Sequence, residues 1–321
     1  MSRSFKKLLG CGMLLAAGTP LGFAGLSLDN VAGYYTFENG GADSATWASG
    51  GAYEGVLRAQ GTSTGYSTAQ TMFGTQSLYV TGGGFFSLGN PDKYRFGAGS
   101  FTITYWLYMP SPAPAGSSND ATLIGNKDWS GSGNNQGWVQ ALSGNASIND
   151  DIKANAASGG SRADATAIDM DPASQTGGGW TFVAMVVDRS SNLLWNYVAD
   201  PWVLVSKGDF GASNDASEPT SASIAALSGI NFDAPVGYNI NIGQDGDGAG
   251  YTQLIAYFDD VALWNTALSR EDLWEIYSRG RGGESLGDIL LIPEPSTYAF
   301  AGIACTLAGL VALRRRKKAS R

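Results

Sequence analysis

Between residues 25 and 292 almost every apolar run is short, built from aromatic and β-branched residues, and closed by Gly, Asn, Asp or Ser. Such runs suit strands, because side chains branched at Cβ pack on a pleated surface while glycine supplies turn conformations. Residues 31–37, 76–80, 101–109 and 181–187 read this way, and 240–243, 252–258 and 261–264 continue the series. No internal repeat and no long helical period interrupts them. Many short strands separated by turns predict an all-β sandwich or barrel rather than βαβ units. One short helix is expected near the end. Ser269 and Asp272 have capping-box spacing, Leu273, Ile276 and Tyr277 share a face, and Gly280 is a plausible terminator.

The chain has no His, and its two cysteines are Cys11 and Cys305, both outside this region. Ser-His-Asp and Cys-His catalysis are therefore excluded, as is a histidine-built zinc site. Residues 25–292 hold 11 Lys and Arg against 27 Asp and Glu, a formal net of −16. Phosphate-binding surfaces are positive, so a nucleic-acid partner is not expected. The acids serve solubility, or a few of them supply oxygen ligands for Ca²⁺.

The two ends carry targeting signals. Arg3, Lys6 and Lys7 precede a short uncharged run, 8–17, and Gly22-Phe23-Ala24 offers small residues for a cut after Ala24. The run is far shorter than the roughly 20 residues of a spanning helix, so residues 1–24 read as a signal peptide. At the other end Pro293-Glu294-Pro295 is followed by sixteen uncharged residues, 298–313, and the basic stretch Arg314-Arg315-Arg316-Lys317-Lys318. A transmembrane helix over 298–313 with cationic residues 314–321 on the cytoplasmic side follows from the positive-inside rule.

That tripartite tail, 293–321, closely resembles the PEP-CTERM sorting signal of Gram-negative bacteria. The resemblance implies export with signal peptidase and exosortase as processing partners, a transient inner-membrane anchor, and final location at the cell surface or in a biofilm matrix. Pro293, Glu294, Pro295, Arg314, Arg315 and Arg316 are then an address. Phe258-Asp259-Asp260-Val261-Ala262-Leu263-Trp264-Asn265 with the helix after it resembles the closing strand and helix of LamG-like, concanavalin A-like jelly-roll domains. Ile242-Gly243-Gln244-Asp245-Gly246, Asn126-Lys127-Asp128-Trp129 with Gly137-Trp138, and Trp180 to Ala184 with Val187-Asp188-Arg189 are similar to that family too. The implied organisation is a jelly-roll β-sandwich over 25–283 with one short C-terminal helix, a linker 284–292, and the sorting signal. One departure is the long aromatic stretch 194–206, where a tight turn usually follows the preceding strand.

Alternation along a strand sends one of Asp259 and Asp260 outward and the other inward. An inward Asp among apolar residues needs donors or a cation. In related jelly rolls a structural Ca²⁺ sits here, which implies Glu38, Asp43 and Asp259 or Asp260 as ligands. Hydrogen bonding of the same carboxylates to backbone N–H groups is the equal alternative. Asp245-Gly246-Asp247-Gly248 lacks the later ligands of a calcium loop and reads as a turn. Trp129, Trp138, Trp195 and Trp202 lie in or beside polar loops and are the candidates for stacking on a sugar; Trp106, Trp180 and Trp264 lie within strand-like runs and suit the core. No Glu-x-Asp-x-x-Glu run supplies the paired acids of a glycosidase. The sequence thus favours a non-catalytic domain contacting polysaccharide or an envelope protein. A glycan-active enzyme of the same fold and a purely structural matrix component stay open.

Overall fold

The computed structural model describes residues 25–42, 44, 54–58, 64–111, 120–129, 133–143, 151–170, 179–199, 219–249 and 254–291. The chain divides into one compact unit, Ala24–Ile292, and another of residues 1–23 and 293–321. The second unit, and with it the expected cleavage sites, sorting box, membrane span 298–313 and basic tail, lies outside the described residues. Among the described residues no helix is long and apolar enough to cross a membrane.

In chain order the strands are β1 (Val31–Tyr35), β2 (Val56–Arg58), β3 (Gly65–Ser67), β4 (Ser77–Val80), β5 (Phe85–Gly89), β6 (Phe101–Tyr108), β7 (Thr122–Gly125) and β8 (Gly137–Ser143). There follow β9 (Asp151–Ser158), β10 (Ser161–Ile168), β11 (Trp180–Asp188), β12 (Leu193–Ala199), β13 (Thr220–Ser223), β14 (Ile240–Ile242) and β15 (Ala256–Trp264), then helices α1 (Arg270–Arg281) and α2 (Leu286–Leu291). The strands make two antiparallel sheets. The first runs β13-β12-β11-β6-β15-β4-β3, with β1 also on β15, and the second runs β10-β9-β8-β7-β14-β5-β2. The expected all-β sandwich is therefore present.

Two apolar layers hold it. Between the sheets, Ile103, Tyr105, Leu107, Val183, Met185, Phe258, Val261 and Leu263 of the first meet Phe86, Leu88, Leu123, Trp138, Leu142 and Ile152 of the second. On the outer side of the first sheet, Trp106, Phe182, Ala262 and Trp264 are covered by Leu273, Ile276 and Tyr277 of α1 and Leu286 of α2. Strands β6, β11 and β15 are thus buried on both faces over most of their length, which is why they read as continuous apolar runs.

Helix α1 opens with the anticipated capping box: Asp272 N–H donates to Ser269 Oγ at 3.1 Å and Ser269 N–H to Asp272 Oδ2 at 2.9 Å. The helix continues through Gly280 rather than ending there. Gly280 is required by contact, since a Cβ would lie 2.5 Å from Trp106 Cζ2. Residues 284–292, expected as a linker, instead contain a second helix docked on the sandwich, with Leu286 and Ile289 buried. The stretch after Asp188-Arg189 also departs from expectation. A tight turn with Asn192 at φ 56° leads into β12, which pairs with β11 from Leu193 to Ala199; residues 200–206 lie outside the described residues.

Candidate functional site

The acid pair of β15 sits at a bulge. Pairing with β6 shifts register between Asp259 and Ala262, and Asp260 takes φ 52°. The extra residue breaks the alternation expected from sequence. Phe258 and Val261 face the inter-sheet core, while Asp259 and Asp260 are both buried on the outer side, 1% and 4% exposed. The N–H groups of Met72 (2.9 Å), Phe73 (3.1 Å) and Asp260 (2.9 Å) donate to Asp259. Leu286 N–H (2.6 Å) and the Tyr34 hydroxyl donate to Asp260, and Tyr34 in turn accepts from Gly287 N–H at 3.1 Å. Burial pushes Asp259 up to about 8, outweighing its Phe73 and Met72 donors, with the Asp260 charge adding to the rise. Burial likewise lifts Asp260 to about 7 against the pull of Tyr34 and Leu286.

Glu38 lies close by, lining with Asp259, Ser285 and Asp288 a pocket of about 250 Å³. Its carboxylate accepts from Thr75 N–H (2.8 Å), Thr75 Oγ1 (2.7 Å) and Gln76 N–H (2.9 Å). Burial works against its charge, but these donors win and hold it below the ordinary range. Adjacent terminal strands do bring Glu38 and Asp259 together, as β1 pairs with β15. A Ca²⁺ shell needs six to eight oxygens with free lone pairs and ionised carboxylates. Here Glu38, Asp259 and Asp260 each accept from protein donors, the hydrogen-bonded alternative to a cation. Among the described residues no three metal-ligating side chains come together; Asp43 lies outside them. The loop at Asp245 is a turn, with Gly248 N–H donating to Asp245 O at 3.0 Å.

The four candidate tryptophans have different fates. Trp138 is a correction: it lies in β8, 1% exposed, against Phe101 in the inter-sheet core. Its position after a polar glycine loop masked a strand start. Trp129 is half-buried and pinned. Its indole N–H donates to Asp120 O at 2.9 Å, its backbone N–H to Asp245 Oδ2 at 3.1 Å, and the Lys127 and Lys153 ammonium groups lie 5.6 and 5.0 Å from its ring. Lys127 is itself buried, donating to Gly133 O and Asn155 Oδ1, and desolvation lowers it to about 7. Trp202 lies outside the described residues. Trp195, half-buried on the outer side of β12, lines a cavity.

That cavity is a groove of about 480 Å³ beside the start of α1, lined by Val186, Asp188, Trp195, Tyr197, Pro219, Leu268, Ser269 and Arg270. Trp195 and Tyr197 are two apart on one strand and so share a face, with ring centroids 6.2 Å apart. Their Trp-x-Tyr spacing was the available signal for Tyr197. Burial raises the Tyr197 hydroxyl to about 12 despite the Arg270 charge, keeping it a neutral donor. Asp188 is the one carboxylate among the described residues that line the groove, and it already accepts from Ser190 Oγ at 2.7 Å and Ser191 Oγ at 2.6 Å. Glycoside hydrolysis requires two acids flanking the bond, roughly 5–9 Å apart, and among the described residues the groove's lining shows one, Asp188. It can hold a ligand by aromatic contact and polar edges.

No protein-family model and no curated protein matches the chain. Solved structures do resemble it. The binding domain of botulinum neurotoxin serotype D aligns with a TM-score of 0.52 at 15% identity, over 80% of this chain and 53% of that one. The receptor binding domain of botulinum neurotoxin D gives 0.52 at 16%, over 78% and 53%. The binding domain of botulinum neurotoxin DC in complex with SialylT gives 0.50 at 16%, over 78% and 52%. This chain spans about half the length of those chains. At such identity the likeness defines a fold class, the two-sheet antiparallel β-sandwich.

Proposed function

We propose that this chain is an exported surface or matrix protein whose sandwich binds carbohydrate without catalysis. The observation that carries the binding reading is the Trp195–Tyr197 groove, an aromatic-walled cavity in which the carboxylate among the described lining residues, Asp188, is already engaged. The resemblance to a domain solved with SialylT is compatible with a carbohydrate, and an envelope protein is the alternative partner that the sequence leaves open. Export is supported by the basic–apolar–small start of residues 1–24 and by the PEP-CTERM-like tail 293–321. On this reading signal peptidase cuts after Ala24, residues 298–313 hold the chain briefly in the inner membrane, and exosortase processes it near Pro293-Glu294-Pro295.

A glycan array probed with the purified protein and with Trp195→Ala tests the binding half. Signals that vanish in the variant are expected; an unchanged pattern, or release of reducing sugar from a bound glycan, refutes it. Cell fractionation tests the sorting half. Replacing Arg314, Arg315 and Arg316 by Ala should abolish processing and surface delivery, and intact full-length protein in the cytoplasm of unmodified cells would sink the idea.

A further inference from the structure

Lys127 and Asn155 are both 0% exposed, although lysine is almost never fully buried unless it is paired with an opposite charge. Among the described residues the hydrogen-bond acceptors of Lys127 are two neutral oxygens, Gly133 O at 2.7 Å and Asn155 Oδ1 at 2.6 Å. Asn155 in turn donates from Nδ2 to Asp164 Oδ1 at 2.8 Å. Its partners fix this orientation of the amide, since the opposite one sets Nδ2 against the lysine donors and Oδ1 against a carboxylate. The three side chains come from the end of β7, from β9 and from β10, where Asp164 is the direct partner of Asn155. Their surroundings hold them in place. Lys127 O accepts from Gly246 N–H at 2.7 Å, and Asp164 Oδ2 pairs with Arg162 Nε at 2.7 Å. The Trp129 ring lies over the amine, its centroid 5.6 Å from Nζ. Desolvation lowers Lys127 to about 7, with the Asp164 charge opposing and the Arg162 charge assisting. Near neutrality much of it is therefore the uncharged, nucleophilic amine.

We infer that Lys127 and Asn155 become joined by an intramolecular isopeptide bond, with Asp164 as the proton relay. The lysine amine attacks Cγ of Asn155, which lies one C=O bond, about 1.2 Å, beyond the oxygen that Nζ already contacts. The Nζ–Cγ bond forms, the Cγ–Nδ2 bond breaks, and the amide nitrogen leaves as ammonia. One proton passes from Nζ to Nδ2 in this balance. The Asp164 carboxylate, already in contact with Nδ2, takes that proton and hands it on. Nothing is oxidised or reduced, and no further reactant is consumed. An amide is a poor electrophile, and what drives the step is the holding of amine and amide together out of water. The product ties the end of β7 to β9 across the intervening β8. Residues 25–292 contain no cysteine, so no disulfide staples the sandwich in this way. The bond is independent of the groove at Trp195 and of the export signals.

Peptide mass spectrometry of the purified, folded protein tests this. A tryptic digest should lack cleavage after Lys127. It should contain a branched peptide in which residues 154–162 hang through Asn155 from the segment carrying Lys127, lighter by one ammonia than the two parts together. Lys127→Arg should release residues 154–162 as an unmodified linear peptide. Asp164→Asn, at an exposed position, should keep the circular dichroism spectrum of the parent. It should cut the branched fraction about 10-fold or more, since a positioned proton carrier is worth about 10²- to 10⁴-fold in rate. Linear peptides alone from the parent, with cleavage after Lys127 intact following prolonged incubation near neutral pH, overturn the bond. That digest decides the matter even where a variant fails to fold. A branched fraction undiminished in Asp164→Asn overturns the relay.

Discussion

Replacing Asp260 by Ala should unfasten the end of the domain. The side chain accepts from the Leu286 N–H and the Tyr34 hydroxyl, both buried, and either donor left unpaired costs about 1–3 kcal/mol. Alanine at φ 52° adds about 1–2 kcal/mol of left-handed backbone cost that Asp partly escapes. Removing a buried acid relieves some desolvation, so the expected net loss is about 3–5 kcal/mol. For a domain of this size each kcal/mol lowers Tm by about 2–4 °C, giving a fall of roughly 6–20 °C. Thermal unfolding followed by near-ultraviolet circular dichroism reads the total, and hydrogen exchange reads its location. Amides of Leu286–Leu291 should lose protection first, because a six-residue helix has no stability of its own. Asp260→Asn, which tolerates the left-handed backbone and keeps one acceptor, should cost less than half as much. A Tm within 2 °C of the parent for Asp260→Ala, with α2 amides still protected, would refute the reasoning.

Folded Asp259 and Asp260 titrate near 8 and 7, well above the ordinary carboxyl value. Both bind protons more tightly folded than unfolded, so their contribution is complete below about pH 4 and declines as pH rises to about 8, by up to about 1.4 kcal/mol per unit and per acid. Urea midpoints should therefore be higher at pH 5 than at pH 8.5, and the Asp259→Asn, Asp260→Asn double variant should flatten that slope. Gly280→Ala should lower Tm by several degrees, because the added methyl meets the Trp106 ring 2.5 Å away across α1; an unchanged Tm would show that the helix slides freely. EGTA should leave Tm unchanged, since Glu38, Asp259 and Asp260 are satisfied by N–H and O–H donors; a fall of several degrees would place a cation among them.

How much of this was readable in the sequence varied with the physics of each element. Strands β6 and β11 announced themselves because burial on both faces demands aromatic and β-branched residues throughout. The α1 capping box is a local interaction and was visible as spacing alone. Strands β9 and β10 were silent, since their inward residues are Ala154, Ala156, Ala163 and Ala165, chosen for close approach and weak as strand signals. The bulge at Asp260 was hidden because no glycine marks its positive φ. Trp138 was misplaced as a loop residue, and Trp195 was recognised without its partner Tyr197.

Asp260 has one last consequence. Through it β1, β15 and α2 converge on a single carboxyl, with Tyr34 from β1 and Leu286 from α2 gripping it from either side. Tension on the chain past Leu291 therefore unwinds the short α2 first and then meets a three-way knot at the middle of the sheet, where Leu286 is held. A domain moored by its C-terminus would keep its shape under tension for as long as that knot holds.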